Sequence, residues 1–270
     1  MYTEPRTDMA STIAERYQGV KERVALAARR SGRSPGSVLI VAVSKYADLE
    51  QVRELIQLGH QDFGESRVLQ LVQRAAMIDE AQHRKRTLPS VGSGPDPTAP
   101  DIRWHMIGHL QRNKVKKLLG SCRLIQSVDS LRLVEEIQAA AFKRDEPIEV
   151  LVQVNCAEEK TKHGCAVAAA AALAEQIDTM VHLRVRGLMT MAPYSENAEE
   201  ARPHFERLAE LYEDIRRRGI GGPGFNILSM GMSHDFEVAI ECGANLVRIG
   251  SSIFGDRPAV DEHDESDEPD

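Results

Sequence analysis

Lys45 is the residue with the most chemistry within reach. It ends the run VLIVAVSK at 38–45, in which Leu39, Ile40, Val41, Ala42 and Val43 are apolar without polar alternation. Such a run suits a strand buried on both faces, as in a parallel sheet, although a buried helix segment shows the same pattern. A lysine at the C-terminal end of such a strand, near apolar walls, loses part of its proton affinity and becomes a nucleophile toward an aldehyde. An ordinary rim lysine facing water has the same spacing. A second set of residues lies near the other end of the chain. LSMGMSHDF at 228–236 offers Ser229 and Ser233 around Gly231, and VRIGSS at 247–252 places Gly250, Ser251 and Ser252 after an apolar run. Glycine lets a backbone approach an anion, serine hydroxyls donate to it, and a helix N-terminus attracts it. Either loop alone is an ordinary turn composition. A phosphate anchor facing an amine suits a phosphorylated aldehyde, and pyridoxal 5′-phosphate fits that description.

These residues need elements to hold them. Apolar spacing predicts a first helix from Met9 to about Arg30, with Ile13, Tyr17, Val20 and Val24 along one side. Eight strands follow, near residues 38, 62, 102, 123, 149, 183, 226 and 246, each leading into a helix or helix-like turn. The strands at Asp62 and Asn226 are too short for periodicity to define. This alternation predicts an α/β fold, a single (β/α)8 TIM barrel with one extra N-terminal helix. The C-terminal ends of the strands are the reactive face of such a barrel, and the loops after strands seven and eight often bind phosphate. Both Lys45 and the two glycine-serine loops fall there. A doubly wound open sheet is the alternative; it normally carries a glycine-rich turn after its first strand, where this chain has Ser44-Lys45-Tyr46.

Length and composition bound the rest. At 270 residues with 42% hydrophobic side chains, the chain can bury one large core. No apolar run reaches a membrane span, and the start MYTEPRTDMA lacks a signal-peptide pattern, so a cytoplasmic location is expected. The four cysteines form no CxxC pair and read as reduced thiols. The net charge of -7 comes from the stretch DEHDESDEPD at 261–270; the remainder carries equal numbers of acidic and basic groups. That tail is expected to be disordered. Short basic runs with few aromatics argue for solvated helix faces and against nucleic acid. The Pro-, Gly- and Ser-rich stretch within 84–101 reads as a flexible insert. His105 and His109 share i,i+4 spacing but lack the glutamate of HExxH, so no metal is expected. Asn155 follows a strand and can hydrogen-bond a cofactor substituent or hold a turn. Met189, Met191, Met230 and Met232 also follow strands, as an apolar floor or as core.

The stretches VAVSKY at 41–46, DFGES at 62–66, WHMIGHLQRNKVKKL at 104–118, IQSVDS at 125–130, VQVNCAEEKTKHG at 152–164, RGLMTMAP at 186–193 and the run at 228–255 resemble the pyridoxal phosphate homeostasis protein family. Its members are relatives of the N-terminal barrel of alanine racemase. The resemblance implies that residues 1–255 form a pyridoxal 5′-phosphate-binding barrel, with 256–270 as an acidic tail. It places the cofactor lysine, which forms a Schiff base, at Lys45. It places phosphate loops at Ser229–Gly231, including Met230, and at Gly250–Ser252, including Ser251, and an arginine near the pyridine nitrogen at Arg248. A cation there keeps the ring nitrogen unprotonated and weakens the ring as an electron sink. Two positions depart from the family pattern. Ser66 stands where asparagine is usual, and His234 where a small or acidic residue is common. The implied function is intracellular buffering or delivery of the cofactor, with pyridoxal-dependent apoenzymes as possible recipients. Racemases of this kind carry a second domain with an opposing acid/base, which is not found after Gly255, so a monomer without classical turnover is expected. The alternatives are a weak amino-acid racemase, with Tyr46 or Tyr194 as second base, and a cofactor-free Schiff-base aldolase.

Overall fold

The computed structural model describes residues 11–87, 100–159 and 163–255. Eight parallel strands follow one another as the hydrophobic pattern predicts: β1 (Leu39–Val43), β2 (Asp62–Glu65), β3 (Arg103–Met106), β4 (Leu124–Val128), β5 (Ile148–Asn155), β6 (Leu183–Met189), β7 (Ile227–Ser229) and β8 (Leu246–Ile249). Each pairs with the next, and β8 pairs back onto β1, Leu39 beside Leu246 and Ala42 beside Ile249. The sheet is therefore a closed barrel with no free edge among these strands. A two-residue strand at Cys165–Ala166 adds beside Val154 and Asn155 at the end of β5; it is too short to leave a periodic signal.

The helices form the outer layer: α1 (Ile13–Arg30), α2 (Leu49–Gln57), α3 (Val68–Thr87), α4 (Val115–Leu118), α5 (Leu131–Phe142), α6 (Val167–Asp178), α7 (Arg202–Arg217), α8 (Phe236–Glu241) and α9 (Ser251–Phe254). Two begin with capping boxes, Thr12 with Glu15 on α1 and Asp48 with Gln51 on α2, which satisfy backbone donors the first turn leaves free. The second of these caps α2 with Asp48, three residues after Lys45, and so fixes where the loop carrying the lysine ends. α1 is the extra helix. It buries Ile13, Tyr17, Val20 and Val24 and packs against α8 and α9. Its Arg16 Nε donates to the Ile253 carbonyl at 2.8 Å, and its Arg23 pairs with Glu237 at 2.7 Å.

Asp235 Oδ1 accepts the Met232 N–H at 2.5 Å and holds 232–235 as a turn, so α8 starts only at Phe236. The basic stretch at 112–118 is a 3₁₀ turn followed by a single α turn. α3 runs to Thr87. Residues 88–99 of the expected insert and the acidic tail lie outside the described residues.

The main core fills the space between barrel and helices, with Phe63, Trp104, Phe205, Phe225 and Phe236 fully buried. Inside the barrel, Val41, Leu124, Leu151, Met189 and Leu246 form a separate apolar layer. Strand alternation puts the side chains two residues further on, Arg248 after Leu246 and Gln126 after Leu124, on the same inward face. Asp62, at the start of β2, accepts from Arg103 Nε at 2.8 Å and Nη2 at 2.5 Å and from His105 Nε2 at 3.1 Å.

Two predictions test this framework. Burial raises the Asp62 pKa, but the hydrogen bonds from Arg103 and His105 outweigh it and hold the carboxyl well below its ordinary value. A depressed carboxylate pKa gives stability that is complete above the ordinary aspartate value, about 4, and is lost as pH falls toward the folded value. Urea unfolding of Asp62→Asn is expected to show a loss of about 2 kcal/mol at pH 7 that narrows below pH of about 4; equal loss at both pH values would contradict this origin. Gly231 has φ +94°, and a Cβ there would lie 2.6 Å from Ala239 Cβ and 2.9 Å from Phe236 Cα. Gly231→Ala is therefore expected to cost about 2–4 kcal/mol in the same assay.

Candidate functional site

Lys45 and Gly250–Ser252 follow the C-terminal ends of the neighbouring strands β1 and β8, whereas Ser229 and Arg248 lie inside the barrel and Met230 in the main core. β1 turns Val41 inward, and alternation carries Val43 and Lys45 to the same side. Lys45 is exposed, with Nζ 4.7 Å from the centroid of the Tyr46 ring. The intervening Ser44 turns outward and is fully buried, its hydroxyl donating to Glu65 Oε1 at 2.7 Å. Glu65 Oε1 also lies 3.2 Å from Arg74 Nε on α3. Burial raises the Glu65 pKa, against the lowering effects of Ser44, Arg74 and the Lys45 charge. A buried carboxyl thus sits on the outer side of the strand end that presents the lysine.

The loop after β8 adjoins β1 directly. A Cβ on Gly250 would lie 3.3 Å from the Val43 carbonyl oxygen, so glycine sets how closely this loop approaches the lysine-bearing strand. The two glycine-serine loops are joined to each other through Ser233. Its Oγ accepts from Gly250 N at 3.2 Å and Ser252 N at 3.4 Å, and its carbonyl accepts from Ser252 Oγ at 3.3 Å. Two backbone amides from the last loop therefore converge on one oxygen, the arrangement a phosphate oxygen uses. Ser251 is exposed at the start of α9.

Arg248 is 3% exposed. Nη1 donates to Ser229 Oγ at 2.6 Å and Nη2 to the Thr190 carbonyl at 2.8 Å. Burial lowers the guanidinium pKa to about 10, opposed by the charge of Asp235. Ser229 is fully buried and in turn donates to Gln126 Oε1 at 2.6 Å. Its hydroxyl is engaged inside the barrel instead of facing the loop it belongs to. Met230 is also fully buried, in the main core. Asn155 Nδ2 donates to the Glu159 carbonyl at 2.8 Å, tying its own loop. Ser66 packs its backbone against Gly108, where a Cβ would lie 2.3 Å from the Ser66 carbonyl oxygen. The His234 ring lies 5.0 Å from that of Tyr194 and its Nε2 3.4 Å from Asp235 Oδ2.

Sequence reasoning missed Glu65, Gln126, Thr190 and the bridging role of Ser233. Gln126 and Glu65 stand on strands at positions that alternation assigns to a face, but nothing in their spacing names their partners. His105 and His109 do not come together: His105 lies inside the barrel, with Nε2 on Asp62 and Nδ1 on Gln126 Nε2 at 3.0 Å. His109 instead stacks on His163 with ring centroids 4.2 Å apart and planes 12° from parallel. Asp129 completes a group whose ligand atoms lie within 4.8 Å of one another. One ion cannot lie in two stacked, nearly parallel ring planes, so this ring geometry does not make a shared metal centre. An open cavity of ≈ 600 Å³ beside it is lined by His109, Arg112, Asp129 and Arg132 and does not include Lys45.

The model of the family described as alanine racemase, N-terminal domain, matches residues 20–258. The pyridoxal phosphate homeostasis protein of Aquifex aeolicus is 38% identical over 247 residues, covering 90% of this chain and 97% of its own. The crystal structure of an unknown protein from Bifidobacterium adolescentis superposes with TM-score 0.80 at 32% identity, over 90% of this chain and 94% of that one. PipY of Synechococcus elongatus, solved with pyridoxal phosphate bound, gives TM-score 0.69 at 29% identity, over 87% of this chain and all of PipY. A closed parallel barrel, a rim lysine and a family match along nearly the whole length agree: the chain belongs to the pyridoxal phosphate homeostasis proteins, built on the alanine racemase N-terminal barrel.

Proposed function

We propose that this protein binds pyridoxal 5′-phosphate through Lys45 and serves to hold and hand on the cofactor instead of turning over a substrate. The observation that carries this reading is the juxtaposition in one mouth of Lys45 at the end of β1, the converging amides of Gly250 and Ser252, and the buried guanidinium of Arg248. The residues fit the group. Lys45 would hold the cofactor at its aldehyde through the side-chain amine. The amides that now donate to the Ser233 hydroxyl suit phosphate oxygens. Arg248 suits the ring nitrogen, where a permanent cation disfavours protonation of the ring. When bound, the cofactor supplies an aldehyde and an electron-withdrawing ring. The chain's own residues orient it, and Arg248 limits how far the ring can act as an electron sink.

A racemase needs a proton donor on each face of the reacting carbon. The tyrosines considered for that role are both exposed, Tyr46 at 51% and Tyr194 at 79%, which favours the holding role over racemisation. Delivery would follow from the same reversible link, with a pyridoxal-dependent apoenzyme as recipient.

Absorption spectra of the purified protein with added pyridoxal 5′-phosphate test the reading. Wild type is expected to show a long-wavelength band that borohydride abolishes while fixing the cofactor's mass on the Lys45 peptide; Lys45→Ala is expected to show neither. A wild type without that band would overturn the proposal. Solvent deuterium incorporation at the α-carbon of alanine or other amino acids, at rates above free cofactor, would favour the racemase reading.

A further inference from the structure

We propose that Gln126, acting with Ser229, is a positioning residue for Arg248, and that a one-way chain of donors, Arg248–Ser229–Gln126–His105–Asp62, sets the guanidinium and links it to a countercharge across the barrel. Its bearing on pyridoxal phosphate rests on the function proposed above; the chain itself does not.

The direction of every bond follows from the arginine end. A guanidinium can only donate, so Ser229 Oγ must accept from Arg248 Nη1 at 2.6 Å. The one hydroxyl proton of Ser229 is then free for Gln126 Oε1, 2.6 Å away. That fixes the amide, whose nitrogen faces His105 Nδ1 at 3.0 Å and must donate to it. An Nδ1 that accepts leaves the proton of a neutral imidazole on Nε2, which lies 3.1 Å from Asp62 Oδ1 and donates there. Asp62 is held ionised by Arg103 and His105. Four bonds thus run in a single sense from a cation to an anion, an order in which each link polarises the next.

The members are among the most buried polar side chains of the protein: Gln126 and Ser229 at 0%, His105 and Arg248 at 3%, Asp62 at 4%. Among the described residues no carboxylate reaches Arg248 within ion-pair distance. A buried charge without a neighbouring counterion is unfavourable unless dipoles and hydrogen bonds compensate it. The chain provides that compensation and also restricts direction. With Nη1 on Ser229 and Nη2 on the Thr190 carbonyl, the guanidinium plane is held at two points. Ser229 itself is kept in the right sense only because Gln126 presents an acceptor. Among the described residues Gln126 hydrogen-bonds Ser229 and His105, so its effect on the mouth passes through Ser229 and the Arg248 guanidinium that Ser229 holds.

The test uses Gln126→Met, which keeps the volume and removes both hydrogen bonds, and Leu151→Met in the neighbouring apolar layer as a packing control. Bound pyridoxal phosphate is titrated by absorbance from low to high pH and its Kd is measured. Gln126→Met is expected to shift the chromophore's titration midpoint by about one pH unit and to weaken binding about tenfold, with Leu151→Met near wild type. A second measurement needs no cofactor. In urea unfolding, Gln126→Met and Arg248→Met are expected to be non-additive, the double variant having an unfolding constant at least about fivefold away from the product of the single effects. If Gln126→Met does not fold, Gln126→Ala, which removes the same two hydrogen bonds without filling the space, is expected to show the same shift and non-additivity. An unchanged titration and Kd, or additive effects in the cycle, would overturn the inference. A wild type that binds no pyridoxal phosphate overturns the proposed function instead, and the unfolding cycle still decides whether the chain exists.

Discussion

A positive charge sealed inside a parallel barrel constrains everything around it. Arg248 stands on the last strand, faces inward, and is almost wholly removed from water. In a medium of low polarity a guanidinium has to find oxygen acceptors at fixed positions, and those must in turn be held. Here the acceptors come from β7 and from the end of β6, through Ser229 and the Thr190 carbonyl. Neither would be in place if the strands were staggered differently. A slip of one residue in β8 would turn Arg248 outward into the helix layer and bring Val247 or Ile249 inside. The register of the closing strands and the position of the charge are one problem with one solution. The apolar layer of Val41, Leu124, Leu151, Met189 and Leu246 enforces the same register from the hydrophobic side.

The barrel mouth is then a set of consequences. With β8 in register against β1, the loop after Ile249 must pass the end of β1 closely, and Gly250 permits it. Parity carries Lys45 inward two residues past Val43, while Ser44 is anchored outward on Glu65. The lysine is presented by a strand end fixed on its outer side and left free at its tip. Ser233 ties the loop after β7 to the loop after β8. The turn that carries Ser233 is itself pinned by Asp235, which sets the start of α8 at Phe236.

Much of this was legible in the sequence because it depends on local pattern. The runs at 38–45 and 183–188 announce buried strands, their regular alternation with helices announces a barrel, and the rim position of Lys45 follows from where its strand stops. The short strands read near Asp62 and Asn226, too brief for periodicity to define, form as Asp62–Glu65 and Ile227–Ser229. Other features resist reading for a physical reason. Ser229 and Gln126 are 103 residues apart and meet only across the barrel interior, so no spacing rule connects them. Read locally, Ser229 beside Gly231 looks like part of an anion loop; in the folded chain its side chain faces the other way, as strand alternation requires of a residue still paired in β7. Glu65 is similar: DFGE reads as a strand end, and only the packing of α3 brings Arg74 to it.

The seam between β1 and β8 has a further consequence for how the protein comes into being. Residues 39–42 wait for residues 246–249, so during synthesis the lysine-bearing strand has an unpaired edge until almost the whole barrel has left the ribosome. α1 waits equally long, since its partners α8 and α9 flank that same late strand. The barrel mouth is thus completed by the last elements to arrive. A nascent or truncated chain presents Lys45 without the adjoining loop at Gly250–Ser252, and the mouth is complete only when the ring is shut.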